Sequence, residues 1–357
     1  MKIAHMILTS QNGGAEKVFI DYLKILKKIG HQNYFIIKND APYFNNIQND
    51  GIDYLKISNN FGYHDIWAVK KIKNFIEKNN IEIVIAHAGK SMVLARKAIK
   101  SIKSRKVILV AVNHSNNIKR SLLADIIISV NREIFFKTID AKRTIENSFI
   151  LSNAIDITDV NLVSKTLDLS NKKIIKIGII GRMVKAKGFD NVIKSLTILN
   201  QSSKIKFLLK IAGNGEEKNN LNNLVKSLNL VDSVEFLGWV ENQQEFFNNI
   251  DIFILPSLIE TFGLVLLESM KYRVPIITTN CDGPKEILQN EHDCLMLDLA
   301  NKNQDLPNQI ASAVLKLIND KNLINKLVEN AFNRLQKRYS MEILERNLAD
   351  LFKIEKL

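Results

Sequence analysis

Short apolar runs of strand length alternate with longer amphipathic segments along this chain, and the alternation restarts once near the middle. In the first half the runs are Ile3–Leu8, Tyr34–Ile37, Ile83–Ala86, Val107–Val112, Ile126–Ser129 and Phe149–Leu151. Between the first two lies Ala15–Lys28, where Val18, Leu23, Leu26 and the following Ile29 fall near helical spacing. After a polar linker around Asp156–Lys173 the rhythm resumes with Ile174–Ile180, Phe207–Ala212, Val234–Leu237, Ile252–Leu255, Ile276–Thr278 and Leu295–Leu297. Strands separated by helical segments pair in parallel through crossover helices. The expectation is an α/β chain of two doubly wound, Rossmann-like domains, residues 1–170 and 171–338, ahead of a final segment, 339–357.

Bulk properties narrow the class. The chain has 357 residues, 46% hydrophobic and 24% charged, enough for about two domains with full cores. The N-terminal apolar stretch Ile3–Leu8 is broken by His5 and too short for a signal peptide. No apolar run approaches the roughly 18 residues of a spanning helix, so the chain is expected not to cross a membrane. Cys281 and Cys294 are the only cysteines and form no C-x-x-C pair, which argues against a disulfide or zinc site and for a reducing cytoplasm. The net charge of +13 sits mainly in residues 1–170, with 25 Lys/Arg against 15 Asp/Glu, leaving 25 against 22 for the rest. Lysines alternate with helix-forming apolar residues and no nucleic-acid module is present, so nucleic acid is not an expected partner.

Doubly wound sheets bind ligands at the carboxyl ends of their strands, where loops meet helix N-termini. Three such junctions carry unusual chemistry. Gly13-Gly14 frees amides at a helix start and suits an anion, or is simply a tight turn. Arg182 and Lys187 bracket a loop ending in Gly188; they suit a diphosphate, or form a solvated basic loop. Gly213-Asn-Gly215 is not a dinucleotide fingerprint, since position 218 is Lys and Glu235 lies inside a strand, and Gly89-Lys90-Ser91 lacks the leading glycine of a P-loop. The third junction is Ile259-Glu-Thr-Phe-Gly-Leu-Val-Leu-Leu-Glu-Ser-Met-Lys271, an apolar run with Glu260 and Glu268 eight positions apart. With a helix from Phe262 the carboxylates stand on the order of 10 Å apart along the axis, beyond the ~5 Å of a retaining hydrolase pair. One then sits at the helix mouth beside the amides of Phe262, Gly263 and Leu264, the other a little over two turns further in, where a diol could meet it. The alternative is a capping acid followed by a solvated glutamate. No D-x-D triplet occurs, so the usual carboxylate clamp for a divalent metal is missing and no metal or other cofactor is expected.

Gly181-Arg182…Lys187-Gly188, Ala212-Gly-Asn-Gly215, Phe236-Leu-Gly238, Pro256-Ser257, Glu260…Glu268, Pro275-Ile-Ile-Thr-Thr279 and Gly283-Pro-Lys-Glu286 stand in an order that resembles retaining nucleotide-sugar glycosyltransferases of the GT-B fold, glycosyltransferase family 4 or group 1. Over residues 1–170 the likeness is thinner: Gly13-Gly-Ala-Glu16, His87, Val112-Asn-His-Ser115 and Ser152-Asn-Ala-Ile-Asp156, with Ser152 and Ala154 where Pro and Gly are common. The resemblance implies two domains facing a central cleft, 1–170 for the acceptor and 171–338 for the donor, with a helix in 339–357 crossing back to the first. It implies that Glu260 contacts the donor sugar beside the reacting carbon and that the amides of Phe262, Gly263 and Leu264 hold hydroxyls and phosphate. Glu268 would accept the ribose hydroxyls, Arg182 and Lys187 would stabilise the leaving diphosphate, and His114 would reach the sugar from the acceptor domain.

The expected activity is transfer of a hexose, with retention and without metal, from a UDP- or GDP-sugar to a cell-envelope glycan or lipid-linked acceptor, as in lipopolysaccharide or polysaccharide biosynthesis. Two other classes stay open: a nucleotide-sugar epimerase of the same fold, which would change the sugar of a donor given alone, and a non-catalytic nucleotide- or glycan-binding protein. Between Lys70 and Arg120 there are thirteen basic residues and two acids, Glu77 and Glu82. That run is either a solvated face or a surface for the anionic inner face of the cytoplasmic membrane, where the enzyme would bind peripherally.

Overall fold

The computed structural model describes residues 1–357 except 12, 49–50, 59, 142–143, 159–165, 302–304 and 354–357. Two compact units divide the chain: Met1–Asn153 with the C-terminal segment from Glu342, and Ala154–Met341.

The first unit runs β1 (Lys2–Ile7), α1 (Gly14–Lys28), β2 (Gln32–Lys38), β3 (Tyr54–Ile57), α2 (Ile66–Lys78), β4 (Ile83–His87), α3 (Gly89–Lys100), β5 (Ile108–Asn113), β6 (Ile126–Ser129), α4 (Arg132–Asp140) and β7 (Ser148–Ile150). Its seven strands are ordered β3-β2-β1-β4-β5-β6-β7 and every pairing is parallel. Apolar residues cover both faces. Ile72, Ile76, Leu94 and Ala98 of α2 and α3 pack on one side of the sheet, and Phe19 and Leu23 of α1 on the other. Burial on both faces is why these strands read as continuous apolar runs.

β3 is absent from the sequence expectation. Of Tyr-Leu-Lys-Ile only Ile57 is buried, Tyr54 is exposed, and Lys56 lies over the Phe44 ring with Nζ 3.3 Å from its centroid. An edge strand half open to solvent carries no apolar run to detect.

The second unit runs β8 (Ile174–Ile180), α5 (Phe189–Ser202), β9 (Lys206–Ala212), α6 (Lys218–Ser227), β10 (Val234–Gly238), α7 (Gln243–Asn248), β11 (Ile252–Leu255), α8 (Leu264–Lys271), β12 (Ile276–Thr279), α9 (Asp282–Ile287), β13 (Leu295–Leu297), α10 (Leu306–Asn319) and α11 (Lys321–Arg338). Its six parallel strands are ordered β10-β9-β8-β11-β12-β13. The strand order reverses between β1 and β4 in the first unit and between β8 and β11 in the second, the switch points where α/β sheets open a crevice at their carboxyl edge.

Part of the expected linker is built into the second core. Leu169 is 4% exposed, Asn325 exchanges hydrogen bonds with the backbone of Leu167 at 2.8 Å each, and Lys321 pairs with Asp168 at 3.0 Å. The last helix, α12 (Met341–Lys353), places Leu344, Leu348, Leu351 and Phe352 in buried positions, and from Glu342 it belongs to the first unit. Within that unit Lys28 pairs with Glu345 at 2.6 Å, and Phe352 meets the edge of His31 with centroids 6.2 Å apart.

Candidate active site

In the second unit the loops leaving β8, β9 and β11 dock backbone to backbone at the carboxyl edge. Gly188 has φ +62°, and a Cβ there would overlap the Pro256 carbonyl; beside it Leu258 N–H donates to Ala186 O at 2.8 Å. Gly213 has φ +117°, and a Cβ there would overlap the Gly181 carbonyl, while Met183 N–H donates to Asn214 O at 2.9 Å. Only glycine tolerates both the positive φ and the approach. The Gly213-Asn-Gly215 motif is therefore occupied in seating the β8 loop, and Glu235, in β10, faces Lys210 across the ladder at 3.6 Å.

This docking sets Lys187 beside Glu260, and the two form an ion pair with side chains 23% and 14% exposed. The Glu260 carbonyl in turn accepts from Gly283 N–H at 2.8 Å, at the start of α9. Arg182 lies on the same β8 loop and is exposed. Glu268 is 4% exposed on α8. Thus the loop chemistry converges on one strand edge, with a cation and a carboxylate already matched.

The geometry of the glutamates differs from the sequence expectation. The helix starts at Leu264, with Gly263 as its N-cap at φ +91°, so Glu260 precedes the helix and Glu268 lies about one turn inside it. Glycine in the left-handed region ends the extended entry and lets the chain turn into the helix only there. Glu260 does not cap α8, since no side chain does; it reaches Lys187 instead. The Phe262 ring packs edge-on against Tyr339 with centroids 6.1 Å apart, and its backbone lies against Gly283, where a Cβ would overlap the Phe262 carbonyl.

A groove of about 750 Å³ lies alongside, lined by Val184, Asp190, Glu217 and Asp305. It shares Lys185 and Leu258 with these loops but not Lys187, Glu260 or Glu268. The chemistry, rather than the volume, marks the candidate site.

In the first unit Gly13 and Gly14 stand at the start of α1, where no side chain caps the helix. Gly13 is extended at φ −153°, so its lack of a side chain is a matter of room: a Cβ would stand 3.2 Å from Glu16 Oε2. Glu16 is buried, and its carboxylate accepts from Thr9 Oγ at 2.6 Å, so the first turn already holds a negative charge.

His114 follows β5 and His87 ends β4. Their rings stack with centroids 5.4 Å apart, and His87 Nδ1 lies 3.1 Å from His114 Nε2. Burial pushes His87 well below the ordinary histidine value, with His114 and His5 adding to the effect, and desolvation lowers His114 to about 4. Both are therefore neutral near pH 7, and one imidazole donates to the other. With Nε2 engaged, half-buried His114 has Nδ1 left for a ligand. The residue after His87, Ala88, has φ +64° and ψ 149°, a backbone region costing about 1–3 kcal/mol for a non-glycine residue. The partnership of His87 with His114 is invisible in sequence because the two are 27 positions apart; only the β4–β5 pairing aligns them. Among the described residues no three His, Cys, Asp or Glu side chains are grouped to hold a metal ion, and no helix is long and apolar enough to cross a membrane.

Residues 166–334 match the family model of the glycosyl transferases group 1. An uncharacterized glycosyltransferase of Haemophilus influenzae is 27% identical over 300 residues, 81% of this chain and 83% of that protein. The O-antigen biosynthesis glycosyltransferase WclY of Escherichia coli is 39% identical over 124 residues, 35% of this chain and a third of that protein (33%). Among solved structures, Anabaena HepE in complex with UDP-glucose superposes with a TM-score of 0.83 at 18% identity, covering 99% of each chain. The likeness shows the GT-B fold.

Proposed function

We propose, from the premise that this chain is a glycosyltransferase of group 1, that it moves a hexose from a nucleoside diphosphate to a cell-envelope glycan or lipid-linked acceptor, with retention and without a metal ion. The observation that carries this reading is the Lys187–Glu260 pair at the β8/β11 switch point, with Glu260 just ahead of α8 and buried Glu268 about one turn inside it. A leaving diphosphate gathers negative charge as the sugar departs, and a fixed cation aimed at it is worth most in the transition state. In this reading Lys187, matched by Glu260 in the free chain, turns to the diphosphate together with Arg182. Glu260 is then released to the sugar beside the reacting carbon, the amides of Phe262, Gly263 and Leu264 hold hydroxyls and phosphate, and Glu268 accepts the ribose hydroxyls. His114 offers a neutral imidazole to the sugar, and Gly13-Gly14 lets the first unit's backbone approach the donor.

The donor class is supported by the nucleotide sugar in the HepE structure, and the acceptor class by the O-antigen relative. The lysine-rich run Lys70–Arg120 supports peripheral attachment to the anionic inner face of the cytoplasmic membrane. Thermal-shift titration with UDP, GDP and then their sugars tests the donor reading. A ligand at 100 times its Kd should stabilise the chain by about 2.7 kcal/mol; no shift with any nucleoside diphosphate would refute it. Turnover should also survive EDTA, and abolition with rescue by Mg²⁺ or Mn²⁺ would show that a metal, not Arg182 and Lys187, neutralises the diphosphate.

A further inference from the structure

Three large apolar side chains of the first unit point to solvent within seven positions: Phe61 at 69% exposure, Ile66 at 79% and Trp67 at 71%. Single exposed apolar residues are ordinary, but clustered ones mark a contact surface. This cluster spans the turn between β3 and α2 and the first two residues of α2, and the turn is firmly held. Buried Asp65 caps α2 by accepting from Ala68 N–H at 2.9 Å, and it also accepts from Asn60 N–H at 3.1 Å and Phe61 N–H at 3.4 Å. Tyr63 is clamped by Lys97 Nζ, which donates to its carbonyl at 2.7 Å, and by the Arg120 guanidinium 4.4 Å above its ring.

The surroundings are cationic. Beyond Trp67, α2 exposes Lys70, Lys71, Asn74 and Lys78, and the neighbouring α3 exposes Lys97 and Lys100. The nearby acids are engaged: Asp65 is buried, Glu77 pairs with Lys73 at 3.9 Å, and Glu82 accepts from the Lys2 backbone at 2.6 Å. A second copy of this chain on the same patch would set lysine against lysine, which is repulsive. A flat anionic surface with an apolar interior satisfies both the lysines and the three apolar side chains.

We infer that the Phe61–Ile66–Trp67 knuckle is an interfacial anchor, which inserts into the headgroup–acyl boundary of an anionic lipid leaflet while the lysines rest on the headgroups. This extends the membrane reading above from charge to insertion, so part of the binding should resist salt. The knuckle follows the carboxyl end of β3, at the same edge of the sheet as His87, which ends β4, and the loop carrying His114. Insertion therefore brings that edge to the leaflet. What the edge would meet there rests on the acceptor reading; the anchoring itself does not.

The chain has two tryptophans, Trp67 and Trp239, so Trp239→Phe leaves Trp67 as the sole reporter. With phosphatidylglycerol-containing vesicles its emission should shift to the blue and be quenched by acyl-brominated lipid, and both effects should persist at about 0.5 M salt. Ile66→Ser with Trp67→Ser, made in the otherwise unaltered chain, should weaken co-sedimentation on the order of 10-fold or more. UDP-dependent thermal stabilisation should be unchanged, so a failed donor reading would appear in that arm alone. Binding that vanishes at high salt without any Trp67 shift would assign attachment to the lysines and overturn the anchor. A concentration-dependent shift without vesicles would assign the patch to a second copy, and no co-sedimentation at low salt would overturn insertion and attachment together.

Discussion

Lys187 and Glu260 illustrate how a partly buried pair constrains its own mutants. Removing one partner strands the other's charge, whereas removing both relieves it. Lys187→Ala should therefore destabilise the chain by roughly 1–3 kcal/mol, and the Lys187→Ala/Glu260→Ala double variant should recover part of that in urea denaturation; additive losses would mean the pair is uncoupled in solution. The same substitution should lower turnover more than donor affinity, because leaving-group charge peaks in the transition state. Glu268 acts on binding instead. Glu268→Ala should weaken UDP binding about 10- to 150-fold, the worth of one or two charge-assisted hydrogen bonds, and an unchanged Kd would remove it from the ribose role.

Elements here are held together at their ends as much as along their faces, and the glycines report it. Gly213→Ala meets both a positive φ and the Gly181 carbonyl, so the β8 and β9 loops must separate. The expected cost is about 2–4 kcal/mol. Gly13→Ala meets only the tip of the Glu16 side chain from an extended backbone, and should cost under about 1 kcal/mol. Comparable melting-temperature losses for the two would show that loop docking is not what Gly213 provides. Among the helices, α12 depends on an apolar stripe in which Leu348 is fully buried, so Leu348→Ala should cost about 2–5 kcal/mol.

For the molecule as a whole, acid stability follows from its buried histidines. His5 is lowered to about 4 by burial, against a hydrogen bond from its ring to Asn33 and with a small push from His31; burial lowers His114 to about 4 and holds His87 well below the ordinary histidine value. Unfolded, each protonates near 6.5. Between those values the unfolded chain binds the extra protons, so this stability is complete above about pH 6.5 and is lost as pH falls towards 4. The slope is at most ~1.4 kcal/mol per pH unit per fully buried histidine. Urea midpoints should fall between pH 7 and 5, and His5→Gln, which can still reach Asn33, should flatten that fall; an unaltered slope would place the acid sensitivity elsewhere.

The sequence by itself determined the succession of strands and helices, because parallel strands buried on both faces must be runs of Ile, Val and Leu. It also located the strand ends that carry glycines, cations and carboxylates, because at those junctions an apolar strand run gives way directly to Gly, Arg, Lys or Glu. It did not reveal β3, whose half-exposed edge needs no apolar run, nor the packing of Leu167 and Leu169 against the second core. Nor did it place the start of α8 at Leu264, which a left-handed Gly263 decides by backbone conformation rather than hydropathy. Only the tertiary structure decided that Glu260 meets Lys187, 73 positions away, and that His87 meets His114. Those partners come together through parallel strand pairing and loop docking, and no local pattern encodes a contact between residues at the ends of different strands.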